Sequence, residues 1–425
     1  MTLALPPDLP KTNWRALILG LFLTLSALSL CGLSVLVVAA AIPANSADQL
    51  TFLLLAAGLF FGAILLIPGI YLNGRIFLNL PGFHIHIPSV GVGILFIALT
   101  TFWVPVLALG GMIASSPLAA FVLPVLNILA VGLPLIFFLR ITLRNLELPS
   151  AQQAWSVFGI TLVTGPVIGT ILELIALIIF VFIAGLYAIS SNPVLAQQIA
   201  DLAKMVQHTN NPDTLMAIVA PMLFSPAGML VLFGLFSIAV PAIEEAVKVM
   251  ALWLFADKIK HPAQGFALGV LCGAAFALSE NLGYSSVGAG EWMATTAQRA
   301  GSALPHMLNS GILGWALVSA WKEHAHIKLG AAYLTVMLIH GLWNAISMGL
   351  LLNSLIPYAQ QPVPPIIANP TPLFIGWVVL MMGTFGGLIY CNQALRRSQP
   401  AQAGYNEPPA YINSGDNHGN SEISV

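Results

Sequence analysis

Apolar residues run in long unbroken stretches separated by short polar or proline-rich breaks. Ten stretches reach the length of a membrane span: 16–42, 50–72, 89–113, 118–140, 157–189, 228–256, 263–284, 302–321, 329–352 and 372–394. About 20 apolar residues wound as a helix cross a hydrocarbon core roughly 30 Å thick. Helices satisfy their own backbone groups in lipid, where an open strand could not. The pattern therefore predicts an all-α, polytopic transmembrane helix bundle of about ten spans. The first stretch follows Lys11 and Arg15 as a secretory signal would. It is longer than the roughly 7 to 15 residues of a signal's apolar region, so it reads as the first span.

Composition narrows the picture further. The chain is 58% hydrophobic and 7% charged, with a mean hydropathy of +0.91. Soluble domains carry roughly 25% charged residues, so a soluble fold is excluded. A net charge of −1 with no basic cluster excludes a nucleic-acid partner. Cys31, Cys272 and Cys391 all fall inside apolar stretches, spaced neither for metal nor for disulfides.

Lysine and arginine set the expected orientation, because short cytoplasmic loops carry their excess. Lys11, Arg15, Arg75, Arg140, Arg144, Lys258, Lys260, Lys322, Lys328, Arg396 and Arg397 fall on one side; only Lys204 and Arg299 fall on the other. Both termini are thus expected in the cytoplasm, in a multi-pass protein of the cell membrane. Four regions follow: residues 1–226, five spans and an external loop of undefined role; 227–352, a four-span core; 353–397, a proline-rich extended linker and the last span; and 398–425, a polar tail expected to be disordered. Within 190–226, Leu195, Ile199, Leu202 and Val206 recur at helical spacing, which suggests a short amphipathic helix on the membrane surface.

Ionisable groups in the middle of a bilayer cost roughly 2.5 to 3.5 kcal/mol each on insertion scales, so they point to function. They gather in four consecutive spans: Pro241-Ala-Ile-Glu244-Glu245-Ala-Val-Lys248, then Phe276-Ala-Leu-Ser-Glu280-Asn281, then His306, then His340-Gly-Leu-Trp-Asn344. The first five spans supply only Glu173, expected to be structural. From the helical rise, Glu244, His306 and His340 share a level about 20 Å from the cytoplasmic face, and Glu280 lies higher, at about 28 Å. Glu244 and Lys248 are one turn apart and Glu245 is three residues from the same lysine, so two carboxylates compete for one ammonium. Pro241 lacks the amide that a helix would use there, which predicts a kink above the glutamates. Arg299 reads as an interfacial anchor.

The runs EEAVK, GFALGVLCGAAFALSEN with Tyr284 following, Arg299 ahead of His306, and HGLWN together resemble the four blocks of the PrsW family of membrane proteases. The double glutamate and the His340 to Asn344 spacing are also similar to the CAAX prenyl protease and bacteriocin-processing group. That group has a histidine where Glu280 stands, so PrsW is the nearer likeness. The resemblance covers residues 241–345. It implies hydrolysis of a peptide bond in a membrane-tethered protein, with Glu244, Glu245, Glu280, His306 and His340 as catalytic candidates and Lys248, Asn281 and Asn344 in support.

Two routes stay open on the residues alone. A carboxylate of Glu244 or Glu245 takes a proton from water while His306, His340 and Asn344 donate to the oxyanion; or the same side chains hold a zinc ion that activates the water. An ion- or proton-coupled transporter and a non-catalytic membrane scaffold are the competing classes.

Overall fold

The computed structural model describes residues 14–41, 49–78, 91–116, 118–146, 148, 150–191, 212–284, 292–359 and 362–398. Among these residues every regular element is a helix. The long ones are α1 (Trp14–Ala41), α2 (Gln49–Phe77), α3 (Val92–Ile113), α4 (Ala119–Thr142) and α5 (Ala151–Ser191). They are followed by α6 (Pro212–Leu223), α7 (Pro226–Gly234), α8 (Val240–Lys248), α9 (Pro262–Tyr284), α10 (Trp292–Glu323), α11 (His326–Ser354), α12 (Pro365–Ala368) and α13 (Thr371–Ser398). The all-α polytopic fold is as expected.

Among the described residues, nine helical stretches are long and apolar enough to cross a membrane by length and composition. The tenth expected span, 302–321, lies inside the 32-residue α10 and is not among the nine. Ser302, His306, Asn309, Ser310 and Ser319 lower its apolar content, and all five are buried against protein. A helix that meets neighbours rather than lipid tolerates such residues.

The core lies around α9, which is buried along nearly its whole length. Phe266, Val270, Ala274 and Leu278 pack with Leu65 and Leu72 of α2, Leu135 of α4, Leu162 of α5 and Met307 of α10. α9 and α10 approach closely because small residues recur every four positions along α9. A Cβ on Gly265, Gly269 or Gly273 would fall 2.4, 2.1 or 2.2 Å from the backbone carbonyls of Gly314, Ser310 and His306. These contacts lock His306 to the wall of α9.

The C-terminal half of α5 behaves oppositely. Ile171, Leu174, Ile178 and Phe182 are all more than half exposed, as residues facing lipid would be.

Residues 353–371 correct the expectation of an extended linker. Ile356–Tyr358 forms a 3₁₀ turn, and Pro365 opens α12 at the first helical position, where a missing N–H costs nothing. Ile367 is then buried against Phe224 and Leu352, which gives the segment a packed anchor. The expected amphipathic helix at Leu195 to Val206 and the tail beyond Ser398 lie outside the described residues.

Candidate active site

The site is built on the span from α7 to α8. Pro226 starts α7, and the hydroxyl of Ser225 accepts from the Gly228 amide at 3.0 Å. The helix then widens into a π turn at Leu235–Ala239, where the Val240 amide donates to Leu235 five residues back. In that register the Phe236 carbonyl would receive the amide of residue 241, and Pro241 has none. Asn344 fills the gap, donating its side-chain amide to the Phe236 carbonyl at 2.8 Å. Tyr333 adds a second tie six residues on, its hydroxyl 2.6 Å from the Ala242 carbonyl. Between them only a glycine fits at 341, since a Cβ there would lie 2.2 Å from the Ser237 carbonyl oxygen. The break above the glutamates is therefore present as expected, and α11 is what repairs it.

Below the repaired turn, Lys248 is fully buried and its ammonium meets three side chains. Glu244 Oε2 lies at 2.8 Å, Glu245 Oε1 at 3.0 Å and His306 Nδ1 at 2.9 Å, with the Phe276 ring centroid at 4.4 Å. An ammonium only donates, so Nδ1 of His306 accepts and its proton sits on Nε2. That nitrogen is 2.8 Å from Glu280 Oε2. His340 presents Nδ1 to Glu245 Oε1 at 2.8 Å, which leaves Nε2 with its lone pair, 3.8 Å from Glu244 Oε2. The two imidazoles meet edge to face, their centroids 5.4 Å apart.

The adjacent glutamates are thus placed differently. Glu245 has no exposure, and its Oε1 receives Lys248, His340 and the side-chain amide of Asn309 at 3.4 Å. Glu244 instead lines a cavity of about 350 Å³ together with Glu173 and Thr170 of α5 and Phe276, Ser279 and Glu280 of α9.

Ligand atoms of Glu244, His306 and His340 all lie within 4.8 Å of one another. A carboxylate with two imidazoles is the donor set of hydrolytic zinc sites. Each imidazole is also backed by its own carboxylate, Glu245 behind His340 and Glu280 behind His306, the arrangement that orients metal-bound histidines. The donor set of Glu244, His306 and His340 fits a metal once the Lys248 ammonium yields Nδ1 of His306.

The expected common level of Glu244, His306 and His340 agrees with this geometry. Glu280 was expected apart from them, and its carboxylate instead reaches His306. Helical side chains lean toward the N-terminus, which carries this one back down α9. Arg299 is no interfacial anchor; it lies inside α10, with a guanidinium nitrogen 2.7 Å from Glu280 Oε1. Asn281 accepts from Arg299 Nε at 3.1 Å and from Ser302 Oγ at 2.9 Å, so it holds the arginine in place. Asn344 is committed to Phe236 rather than turned toward an oxyanion.

Glu173 was read as structural and lies in the cavity wall; it is the lone acid of the first five spans, which was its signal. Asn309, outside the expected set, lies three residues after His306 on the same helix face and adds an amide donor to Glu245.

Buried acids and imidazoles from four helices thus meet beside a cavity that Glu173, Glu244 and Glu280 line, in a chain of membrane-spanning helices, the setting of an intramembrane hydrolase. Residues 172–368 match the family model described as PrsW family intramembrane metalloprotease. Over that region the chain is similar to PrsW family intramembrane metalloproteases, and it is a multi-pass membrane protein with a peptidase region acting on protein in a lipid bilayer. The match begins at Leu172, so Glu173 falls within it. Neither a curated protein nor a solved structure matches the chain.

Proposed function

We propose that the chain hydrolyses a peptide bond of a membrane-tethered protein in the cell membrane, with both of its own termini in the cytoplasm. Glu244 activates the water, and Glu244, His306 and His340 hold a zinc ion. The observation that carries this reading is the pairing of each imidazole with a separate carboxylate, which leaves Glu244 facing the cavity. When bound, zinc supplies Lewis-acid polarisation of the carbonyl and of water.

The remaining steps belong to the chain. Lys248 fixes Oε2 of Glu244, so the carboxylate keeps one bearing toward the cavity. Glu244 accepts a proton from water as the oxygen attacks the carbonyl carbon. The tetrahedral centre collapses, the C–N bond breaks, and the proton passes from Glu244 to the departing amine. Glu245 keeps the His340 proton on Nδ1, and Glu280 keeps the His306 proton on Nε2. General-base catalysis of this kind contributes roughly 10²- to 10⁴-fold. Because Glu173 shares the cavity, the catalytic unit extends back from residues 227–352 into α5.

Cleavage of a co-reconstituted single-span substrate tests the reading. Glu244→Gln, folded and inserted, is expected to lose cleavage; full activity in that variant would remove the proposed base.

A further inference from the structure

Farther along α5 from the cavity at Glu244 lies a second, apolar one. It has a volume of about 310 Å³ and is lined by Val181, Ala184 and Gly185 of α5 and by Met222, Val231 and Leu232 from α6 and α7. Helical phase puts both cavities on one side of α5. Ala184 lies five full turns beyond Pro166, and Val181 is about 20° from the bearing of Thr170. The same two walls, α5 and the α7–α8 span, therefore border both. At 1.5 Å per residue, Val181 and Ala184 stand about 12 to 17 Å beyond Glu173.

A peptide bond within a helix is shielded by its own turn, so the substrate must be locally extended where it is cut. Extended chain advances about 3.3 Å per residue. A substrate strand leaving the Glu244 cavity along α5 thus brings a side chain to the apolar cavity after about four or five residues. We propose that this cavity is a specificity subsite that takes a large apolar side chain of the substrate, four or five residues from the scissile bond. It rests on the peptidase chemistry proposed above. The occupant follows from the cavity's place on the same side of α5 as the reaction cavity, from the near absence of polar lining, and from a volume ample for leucine or phenylalanine.

Gly185 provides the test, because it lines the cavity and a Cβ added there meets nothing within 4 Å. The full-length protein in phosphatidylcholine vesicles is assayed on single-span substrates carrying leucine or alanine at the fourth and fifth residues on either side of the mapped cleavage point. The unmodified enzyme is expected to prefer leucine at one of these positions, and Gly185→Phe to lower the leucine-to-alanine ratio of kcat/KM at least tenfold. A ratio unchanged within twofold overturns the subsite.

A second arm does not depend on turnover. In Glu244→Gln protein, a photoreactive phenylalanine analogue at the same substrate position is expected to crosslink to peptides containing residues 181–185 or 222–232. Capture of a photoreactive phospholipid acyl chain there, with no substrate crosslink, overturns the proposal and assigns the cavity to the bilayer. Cleavage surviving in Glu244→Gln would sink the chemistry and leave the crosslink standing; a missing crosslink with normal cleavage would sink the subsite alone.

Discussion

Nδ1 of His340 stands 2.8 Å from Oε1 of Glu245, a carboxylate wholly removed from solvent. That contact separates two neighbours in sequence: Glu245 orients an imidazole, while Glu244, one residue earlier, faces the cavity.

The two glutamines should therefore behave differently. Glu244→Gln, which removes both the base and one zinc ligand, is expected to lower kcat by about 10²- to 10⁴-fold even at saturating zinc. Glu245→Gln is expected to weaken zinc affinity by about 10- to 100-fold, as loss of a carboxylate behind a metal-bound histidine does, with cleavage partly restored by added zinc. Zinc titration alongside a cleavage assay separates the two; identical behaviour would contradict the division.

Removing the metal gives a second expectation. Exhaustive treatment with 1,10-phenanthroline should abolish cleavage, and zinc should restore it. Activity persisting in metal-free protein, checked by elemental analysis, would leave Glu244 acting on water unaided.

Asn344 offers a prediction about stability rather than chemistry. Asn344→Leu removes the part-buried hydrogen bond to the Phe236 carbonyl, at a cost of about 0.5 to 1.5 kcal/mol. Thermal unfolding in detergent should show that loss, while the folded fraction keeps an unchanged kcat.

Close packing of α9 on α10 can be tested in the same way. Gly273→Ala would push a methyl against the His306 carbonyl, displacing the histidine, and should reduce both stability and cleavage. Gly330→Ala, where a Cβ meets nothing within 4 Å, should do neither.

Orientation is checked by labelling. A cysteine at the exposed Lys260 is expected to react with an impermeant maleimide from the cytoplasmic side, and one at the exposed Ser354 from the opposite side. The reverse pattern would invert the topology.

Long apolar runs made the helices legible in the sequence, since a span needs only length and apolarity. The polar α10 shows where that criterion fails: Ser302, His306 and Asn309 are acceptable because protein surrounds them, and sequence alone does not say what a helix face meets. Helical rise placed Glu244, His306 and His340 together, because depth is a one-dimensional quantity. Glu280 and Arg299 were misplaced for the complementary reason: their long side chains travel several ångströms along the helix from their own Cα. Glu173 required knowledge of which face α5 turns inward, and a stretch apolar on every side carries no such phase. The role of Asn344 needed the π turn, and a single surplus residue in a helix leaves no mark in composition.

Where a residue is lost would decide which acid does what. A π turn takes up its extra residue by widening, so deleting one position within Leu235–Ala239 would restore an ordinary turn and leave Glu244 and Glu245 near their present bearings. The same loss between Pro241 and Ile243 would wind the acids back by about 100°, setting Glu245 on the bearing Glu244 now holds through a one-codon change that removes neither acid.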